Sequence, residues 1–230
     1  MTTRLSAFTF MLCTSTLTTS SIAGIYLGVQ AGGGMLKGDH IYDNPTNTST
    51  NQGATAMRAI GGVYGGHLGY FYSPVGGRAF FFGEALGLTG SAKQQKDLAV
   101  TGGTKEGIFS ISRKMTLGAA GGGGIFVNPM VGFYVKLGYE QTKFDFSYTQ
   151  LTYGTQASES FSKKSTGVNF GGGLLYKITN SVFVNGEYTY ATGKKIRVRS
   201  SDSAINGARR GYSFTPGEHR LMLKLSYMFG

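Results

Sequence analysis

The stretch GAAGGGGIFVNPMVGFYVKLGY, from Gly118 to Tyr139, says most about the fold. Four consecutive glycines, 121–124, precede a short β-favouring run. A phosphate-binding loop would need a Lys followed by Ser or Thr, or a following helix, but a tight NPM turn and a second strand follow here. In that second strand apolar and polar residues alternate. We therefore interpret the glycines as structural, in one of two antiparallel strands joined by a tight turn.

The composition of the whole chain is typical of a β protein. Its 230 residues include 38 Gly, 14 Tyr and 16 Phe, and only 14% are charged. Alternation with a period of two recurs along the chain, whereas the i, i+3, i+4, i+7 spacing of an amphipathic helix is rare. Many glycines and aromatic residues without a short repeat favour a β-barrel or sandwich and exclude collagen.

Residues 1–23 have the features of a signal peptide. Arg4 supplies the positive charge, Leu5–Leu12 form a short apolar core, and Ser21–Ala23 offer small residues for cleavage. The apolar run is too short to span a bilayer as a helix. Cys13 has no small residue directly before it, which argues against a lipoprotein anchor. Cleavage after Ala23 leaves residues 24–230 as one domain without cysteine.

The predicted mature chain is strongly basic. Its formal charge falls from +11 to +10 because Arg4 is removed with the signal peptide. A basic surface can contact nucleic acid, anionic lipid or acidic polysaccharide. Because the chain is exported, we do not expect nucleic acid as a partner.

The mature chain divides into eight alternating segments, which predict eight strands: Gly24–Leu36, Met57–Tyr72, Arg78–Ser91, Ile108–Val127, Val131–Ser147, Ser162–Lys177, Val182–Lys194 and Phe214–Gly230. The connectors after the second, fourth and sixth strands are tight, whereas those after the odd strands are long and polar, such as Lys37–Ala56 and Lys195–Ser213. Short turns that alternate with long loops are typical of an outer-membrane barrel. The sequence therefore predicts an all-β, eight-stranded, antiparallel up-and-down transmembrane barrel.

The two faces of the strands support this prediction. In the fifth strand, one face carries Val131, Phe133, Val135, Leu137 and Tyr139, and the other carries glycines and charged residues. The apolar face would contact lipid, and the opposite face would line a narrow lumen. On the glycine-rich strand we expect the lumen side to hold Gly118, Ala120, Gly122 and Gly124. An aromatic girdle is expected near the turn ends, from Tyr134, Tyr176, Tyr227 and Phe229.

With its signal, its loop pattern, the first strand YLGVQAGGG and the closing segment LMLKLSYMF, the mature chain resembles the OmpA/opacity-type family of eight-stranded outer-membrane β-barrel proteins. The resemblance implies a porin-family barrel in the outer membrane of a Gram-negative cell, with periplasmic termini and four external loops. It also implies that the barrel-insertion machinery recognises the C-terminal strand. The family pattern usually ends on Phe, and here Gly230 follows Phe229.

Six charged residues are predicted to form a network in the lumen: Glu84, Lys136, Glu140, Glu187, Arg220 and Lys224. Glu84 shares its strand face with apolar residues, and we place it inward because a charge facing lipid is costly. The set holds three acids and three bases. It would act either as a static salt-bridge plug, which we favour, or as an ion gate across the lumen.

Several predicted loop ends are basic. The segment KKIRVRSSDSAINGARR carries six cations against one acid: Lys194, Lys195, Arg197, Arg199, Arg209 and Arg210. Lys163 and Lys164 lie at another loop edge. We expect these cations to contact the phosphates of lipopolysaccharide, with acidic host glycans as the alternative partner.

No motif for catalysis, a metal or a cofactor is found. The chain has three His, and none is followed two residues later by Ser, the arrangement that the deacylase members of this barrel class carry. His67 lies among glycines and fits lumen packing better than a catalytic base. We therefore predict a monomeric structural or surface-interaction protein that is not an enzyme. The alternatives are a small-solute channel gated by the lumen charges and a soluble periplasmic barrel.

Overall fold

In a computed structural model the described residues are 22–43, 54–101, 104–150, 157–199 and 211–229. They form ten strands: β1 Ile22–Asp43, β2 Ala54–Ser73, β3 Ala79–Gly90, β4 Lys93–Thr101, β5 Thr104–Phe126, β6 Val131–Gln150, β7 Ala157–Lys177, β8 Val182–Thr192, β9 Ile196–Arg199 and β10 Gly211–Phe229. Among the described residues, no helix is long and apolar enough to cross a bilayer. The signal peptide stays a prediction, since only its last two positions are described, as the start of β1.

Eight of the strands close into a ring. Each pairs with its neighbours in the antiparallel order β1-β2-β3-β5-β6-β7-β8-β10, and β10 pairs back onto β1 from Ile25 opposite Phe229 to Asp43 opposite Gly211. The predicted eight-stranded antiparallel ring is therefore confirmed. The short strands β4 and β9 lie on β5 and β10 and continue β3 and β8 beyond an interruption.

Two segments predicted as long polar loops are partly strand. β1 extends to Asp43 and β2 begins at Ala54, while β9 and the start of β10 take up part of the segment 195–213. In the second segment Ile196 points inward between exposed Lys195 and Arg197, so alternation continues past the predicted strand end. The outward residues are polar there, which made the sequence resemble a loop.

The glycines of β5 make room for two phenylalanine rings of β3. A Cβ atom at Gly122 would lie 2.5 Å from Cζ of Phe82, and one at Gly124 would lie 2.5 Å from Cζ of Phe80. Phe80 is fully buried inside the barrel. Since eight strands enclose a space barely wide enough for side chains, small residues on one strand are required where large ones project from the next.

The outer face of the barrel carries a continuous apolar band, as predicted. Its exposed residues on the fifth and eighth strands of the ring include Phe133, Val135, Leu137, Tyr139, Leu221, Leu223, Leu225, Tyr227 and Phe229. Tyr176 also faces outward, but the girdle position predicted for Tyr134 is wrong. Tyr134 shares the inward face with Lys136, and its hydroxyl bonds a buried carboxylate.

At the end that carries the long connections, called here the loop end, the ring divides into two sheets. Within the described residues, β4 pairs only with β5, and β9 pairs only with β10. One sheet comprises β2, β1, β10 and β9, and the other comprises β4, β5, β6 and β7. Between them lies an apolar layer: Leu36, Met57, Ala59, Ala92, Phe109, Ile111, Phe144, Phe146, Ile196 and Phe214.

This apolar layer also contains two phenylalanines of β6 that lie on the opposite face from outward Leu137 and Tyr139. Phe144 and Phe146 point inward on the same face as Lys136 and Glu140, and each is 2% exposed. Alternation along β6 is therefore continuous from Lys136 to Phe146. The register shift lies in the partner strand β5, between Arg113 and Thr116.

The interruption between β8 and β9 lies opposite a proline. The carbonyl of Pro216 accepts a hydrogen bond of 2.9 Å from the backbone N–H of Gly193. Proline has no N–H to continue the ladder on that side. The chain therefore leaves the ring at residues 193–195 and rejoins β10 as β9, where Ile196 pairs with Phe214.

Replacing Gly122 by Val is expected to destabilise the barrel by about 1–3 kcal/mol, because the new side chain must displace the Phe82 ring in a packed lumen. The matched control is Gly121→Val, where a Cβ atom would meet Phe82 O at 3.7 Å on the outer face. Urea unfolding of the refolded protein, followed by circular dichroism, checks both. Equal stability of the two variants would contradict the packing role assigned to Gly122.

Candidate functional site: lumen charges and basic outer surface

Four of the six predicted lumen residues form one closed cluster, which we call the charge quartet: Glu84 on β3, Lys136 on β6, Glu187 on β8 and Lys224 on β10. Nζ of Lys136 lies 2.9 Å from Glu84 Oε1 and 2.7 Å from Glu187 Oε1. Nζ of Lys224 lies 3.0 Å from Glu84 Oε1 and 2.9 Å from Glu187 Oε2. Each ammonium therefore bridges both carboxylates. All four side chains are nearly inaccessible, so the pairing offsets the cost of removing them from water.

Aromatic residues close the quartet on the side of the short turns. The hydroxyl of Tyr134 donates a 2.8 Å hydrogen bond to Glu187, and the hydroxyl of Tyr26 lies 3.4 Å from Glu84. Both belong to an inner apolar layer: Tyr26, Phe71, Phe80, Phe126, Tyr134, Leu175, Phe183 and Met228. The cavity between this layer and the quartet measures about 30 Å³, room for one or two water molecules.

The remaining two predicted lumen residues pair one layer nearer the loop end. Nη2 of Arg220 lies 2.5 Å from Oε2 of Glu140, and the amide of Asn169 donates a 2.9 Å hydrogen bond to the same oxygen. Glu140 therefore accepts hydrogen bonds from side chains of two strands, β7 and β10. The structure thus brings all six residues to the inner wall, in one quartet and one pair.

A further ion pair, Arg113–Glu218, was missed in the sequence. Nε of Arg113 lies 3.2 Å from Oε2 of Glu218, and Nη2 donates to Thr116 Oγ1 at 2.9 Å. Strict alternation from Gly118 would point Lys114 inward and Arg113 outward. The bulge at 113–116 reverses this, so that Arg113 is fully buried and Lys114 is exposed. The inward position of Glu218 could have been predicted from the sequence, because it lies two residues before Arg220 and so on the same face.

Apart from Lys177, a buried cation at the turn end whose Nζ lies 4.1 Å from the centre of the Phe126 ring, the described lumen is electrically neutral. It holds four acids and four bases, all in ion pairs: Glu84, Glu140, Glu187 and Glu218 with Arg113, Lys136, Arg220 and Lys224. The inner apolar layer covers them on one side and the apolar layer between the two sheets covers them on the other. A path for water along the axis would have to pass both layers.

The lumen also contains a histidine–serine contact. Nε2 of His67 lies 2.8 Å from Oγ of Ser226, next to Lys224 on β10. His67 is 3% and Ser226 5% exposed, so both side chains are buried in the lumen. Within the described residues no group of three His, Cys, Asp or Glu side chains could hold a metal ion.

The predicted basic segment is only partly described. Lys194, Lys195 and Arg197 are exposed around the interruption between β8 and β9. Arg199 ends β9, and its side chain lies outside the described residues, as do Arg209 and Arg210. The backbone N–H of Lys194 bonds Thr166 O at 2.9 Å, which places the segment beside β7.

A second group of cations, which the sequence analysis did not single out as a set, follows the edge of the apolar band. We call it the basic collar: Lys37, Arg58, Lys114, Lys143 and Lys164. Each lies on the outward face just beyond the apolar band, one or two outward-facing residues away from it. Lys143, for example, is the second outward-facing residue after Tyr139. Lys37 is directly opposite Arg58 and Lys143 directly opposite Lys164. Like charges in directly opposite positions destabilise a sheet unless an anion lies between them.

Lys136→Met is expected to destabilise the protein by about 3–5 kcal/mol, since Glu84 and Glu187 would then share one ammonium in a dry site. Adding Glu187→Gln leaves one acid, Glu84, with one base, Lys224. The double variant should therefore regain at least about 1 kcal/mol of the lost unfolding free energy. Urea unfolding measures both. Exposed Lys195→Met is the control, with a change of about 0.5 kcal/mol or less. A single variant as stable as this control would show that the quartet is not a coupled unit.

Comparisons with known proteins agree with this architecture. The family model described as "Outer membrane protein beta-barrel domain" matches residues 5–229. Outer membrane protein OprG from Pseudomonas aeruginosa is 12% identical, with 89% of this chain and 96% of that chain covered and a TM-score of 0.56. This similarity shows a shared fold. No curated protein sequence matches the chain.

Two further solved structures are more distant in shape. Neisserial surface protein A is 13% identical, covering 90% of this chain and 99% of that one, with a TM-score of 0.42. The attachment invasion locus protein of Yersinia pestis, solved in complex with the heparin analogue sucrose octasulfate, is 14% identical, covering 86% and 99%, with a TM-score of 0.35. The family match covers nearly the full length of the chain. It agrees with the closed ring and the lipid-facing band in indicating an outer-membrane barrel. The chain belongs to the family of outer-membrane β-barrel proteins and resides in the cell outer membrane.

Proposed function

We propose that this protein is a closed outer-membrane barrel that anchors in lipopolysaccharide through its basic collar and presents the two-sheet loop end to the cell exterior. The observation that carries the proposal is the pairing of like charges in the collar, Lys37 with Arg58 and Lys143 with Lys164. Such pairs cost stability in water, and they become favourable where phosphates lie between them.

The level of the collar fits this role. In family members the long loops face outward, so the edge of the apolar band beside the collar corresponds to the outer leaflet. Phosphate groups of lipopolysaccharide lie at that depth. Each Lys or Arg near an anionic lipid surface contributes about 1 kcal/mol. Lys194 and Lys195 lie beside Thr166 on β7 and extend the collar around the next strands.

The channel alternative receives less support from the geometry. A gate needs charges that line a water path, whereas the quartet lies between two apolar layers. We likewise propose that the His67–Ser226 contact fills the lumen and that the protein is not a hydrolase, because both groups are buried away from any substrate.

Assembly follows from the last strand. β10 presents alternate exposed apolar residues from Leu221 to Phe229, the pattern expected of a strand that the barrel-insertion machinery recognises. β10 also closes the ring against β1, which leaves no open edge in the apolar band for a second copy. We propose a monomer, whose exposed cations Lys194, Lys195 and Arg197 are free to contact anionic glycans of a host surface.

The double variant Lys143→Gln/Lys164→Gln tests the collar. In phosphatidylcholine micelles its melting temperature should equal or exceed that of the wild type, because a like-charge pair is removed. Added lipopolysaccharide should raise the melting temperature of the wild type and raise that of the variant by less than half as much. Thermal unfolding followed by circular dichroism gives both values.

The matched control removes two exposed cations outside the collar: Arg78, before β3, and Lys163, which the structure places opposite inward Phe144 and not on the outer face with Lys164. Arg78→Gln/Lys163→Gln should keep the full response to lipopolysaccharide. If the collar variant and this control respond alike, the anchoring proposal is wrong and the effect reflects net charge.

A further inference from the structure

A hydroxyl-rich concavity, here called the serine trough, lies on the outward face of β4–β7 beyond the collar. One row across the four strands consists of Lys93, Ser112, Asp145 and Ser162, each directly opposite the next. The row beyond it holds Ser110, Ser147 and Ser160. Lys114 borders the trough on the collar side.

The trough has the size of a small-molecule site. Its volume is about 370 Å³, within the range of about 300–1,000 Å³ typical of ligand sites. Four strands spaced by about 4.8 Å make the four-residue row about 14 Å long. A single inorganic ion would leave most of this length empty.

The polar groups of the trough are arranged in short chains of hydrogen bonds. The hydroxyl of Ser162 donates to Asp145 Oδ1 at 2.5 Å, and the hydroxyls of Ser110 and Ser147 lie 2.6 Å apart. Lys114 Nζ is 3.7 Å from Asp145 Oδ2, a loose contact between side chains that are 51% and 38% exposed. Asp145 thus keeps accepting capacity toward solvent, while Lys93 is exposed at the end of the row.

Backbone pairing restricts what such a site can bind. β5 pairs with both β4 and β6, and β6 pairs with both β5 and β7, so the main chain of the floor is already in ladders. A peptide strand lying over β5 and β6 therefore finds no main-chain partner. A ligand meets hydroxyls, one carboxylate and two ammonium groups, which suits a molecule rich in hydroxyls that also carries an anionic group.

We propose that the serine trough binds an anionic sugar, with its ester phosphate or sulfate on Lys93 and Lys114 and its hydroxyls on Asp145 and the serines. The carboxylate accepts from sugar hydroxyls, and the serine hydroxyls both donate and accept. The two cations exceed the one acid, so the site selects charged over neutral sugars. The trough shares Lys114 with the collar, but binding of a soluble sugar ester is measured separately from the collar's response to lipopolysaccharide.

Calorimetric titration of the refolded full chain in neutral micelles tests the proposal. The probes are glucosamine 6-phosphate, glucosamine 6-sulfate, glucosamine and inorganic phosphate. The two esters should bind, and the other two probes should bind at least tenfold more weakly. A preference for the phosphate ester indicates a bacterial lipopolysaccharide sugar, and a preference for the sulfate ester indicates a sulfated host glycan.

Two variants locate the binding. Ser112→Tyr fills the trough and Lys93→Gln removes an anion partner, and each should weaken ester binding at least tenfold. Thr215→Tyr, the same bulk on the exposed face of β10, and the collar variant Lys143→Gln/Lys164→Gln should bind as the wild type does. No ester binding, equal binding of inorganic phosphate, or equal loss in Thr215→Tyr would overturn the proposal.

Discussion

The narrowness of an eight-stranded ring is the constraint on which the rest of this structure depends. The enclosed space is about as wide as its side chains, so each large group on one strand requires a small one on its neighbour. The glycines of β5 lie under Phe80 and Phe82 for this reason. The same narrow space favours pairing of the charges that lie between the two apolar layers, which explains why Lys136 and Lys224 each bridge two carboxylates. With the lumen filled by these groups, we propose that the outer surface is where this protein contacts other molecules.

Much of the fold could be predicted because the bilayer imposes a simple rule. Apolar residues alternate with polar ones wherever lipid is on one side and the lumen on the other, and connector lengths alternate with them. The inward position of Glu84 followed from the cost of a charge in lipid, even though its neighbours on the same face are apolar. Five of the six lumen residues that the sequence indicated were placed by alternation alone.

Prediction failed at the bulge, where alternation is broken, and beyond the apolar band, where the outward residues no longer face lipid. The bulge at 113–116 hides Arg113, since one extra residue reverses the faces of β5 beyond it. Beyond the apolar band, water replaces lipid and the outward residues become polar, so strand extensions resembled loops. Phe144 and Phe146 then pack inward against the opposite sheet, a long-range contact that no local pattern reveals. The collar was missed for a related reason, because its like-charge pairs depend on the register between strands.

The central claim is that paired charges between two apolar layers seal the barrel. Planar-bilayer conductance of the refolded wild type beside Lys136→Ala tests it most directly. Because Phe80 on one side and Phe146 on the other remain in place in the variant, both proteins should be electrically silent under an applied voltage. Steady channels in the wild type that widen or open more often in Lys136→Ala would contradict the account and make the lumen charges a gate.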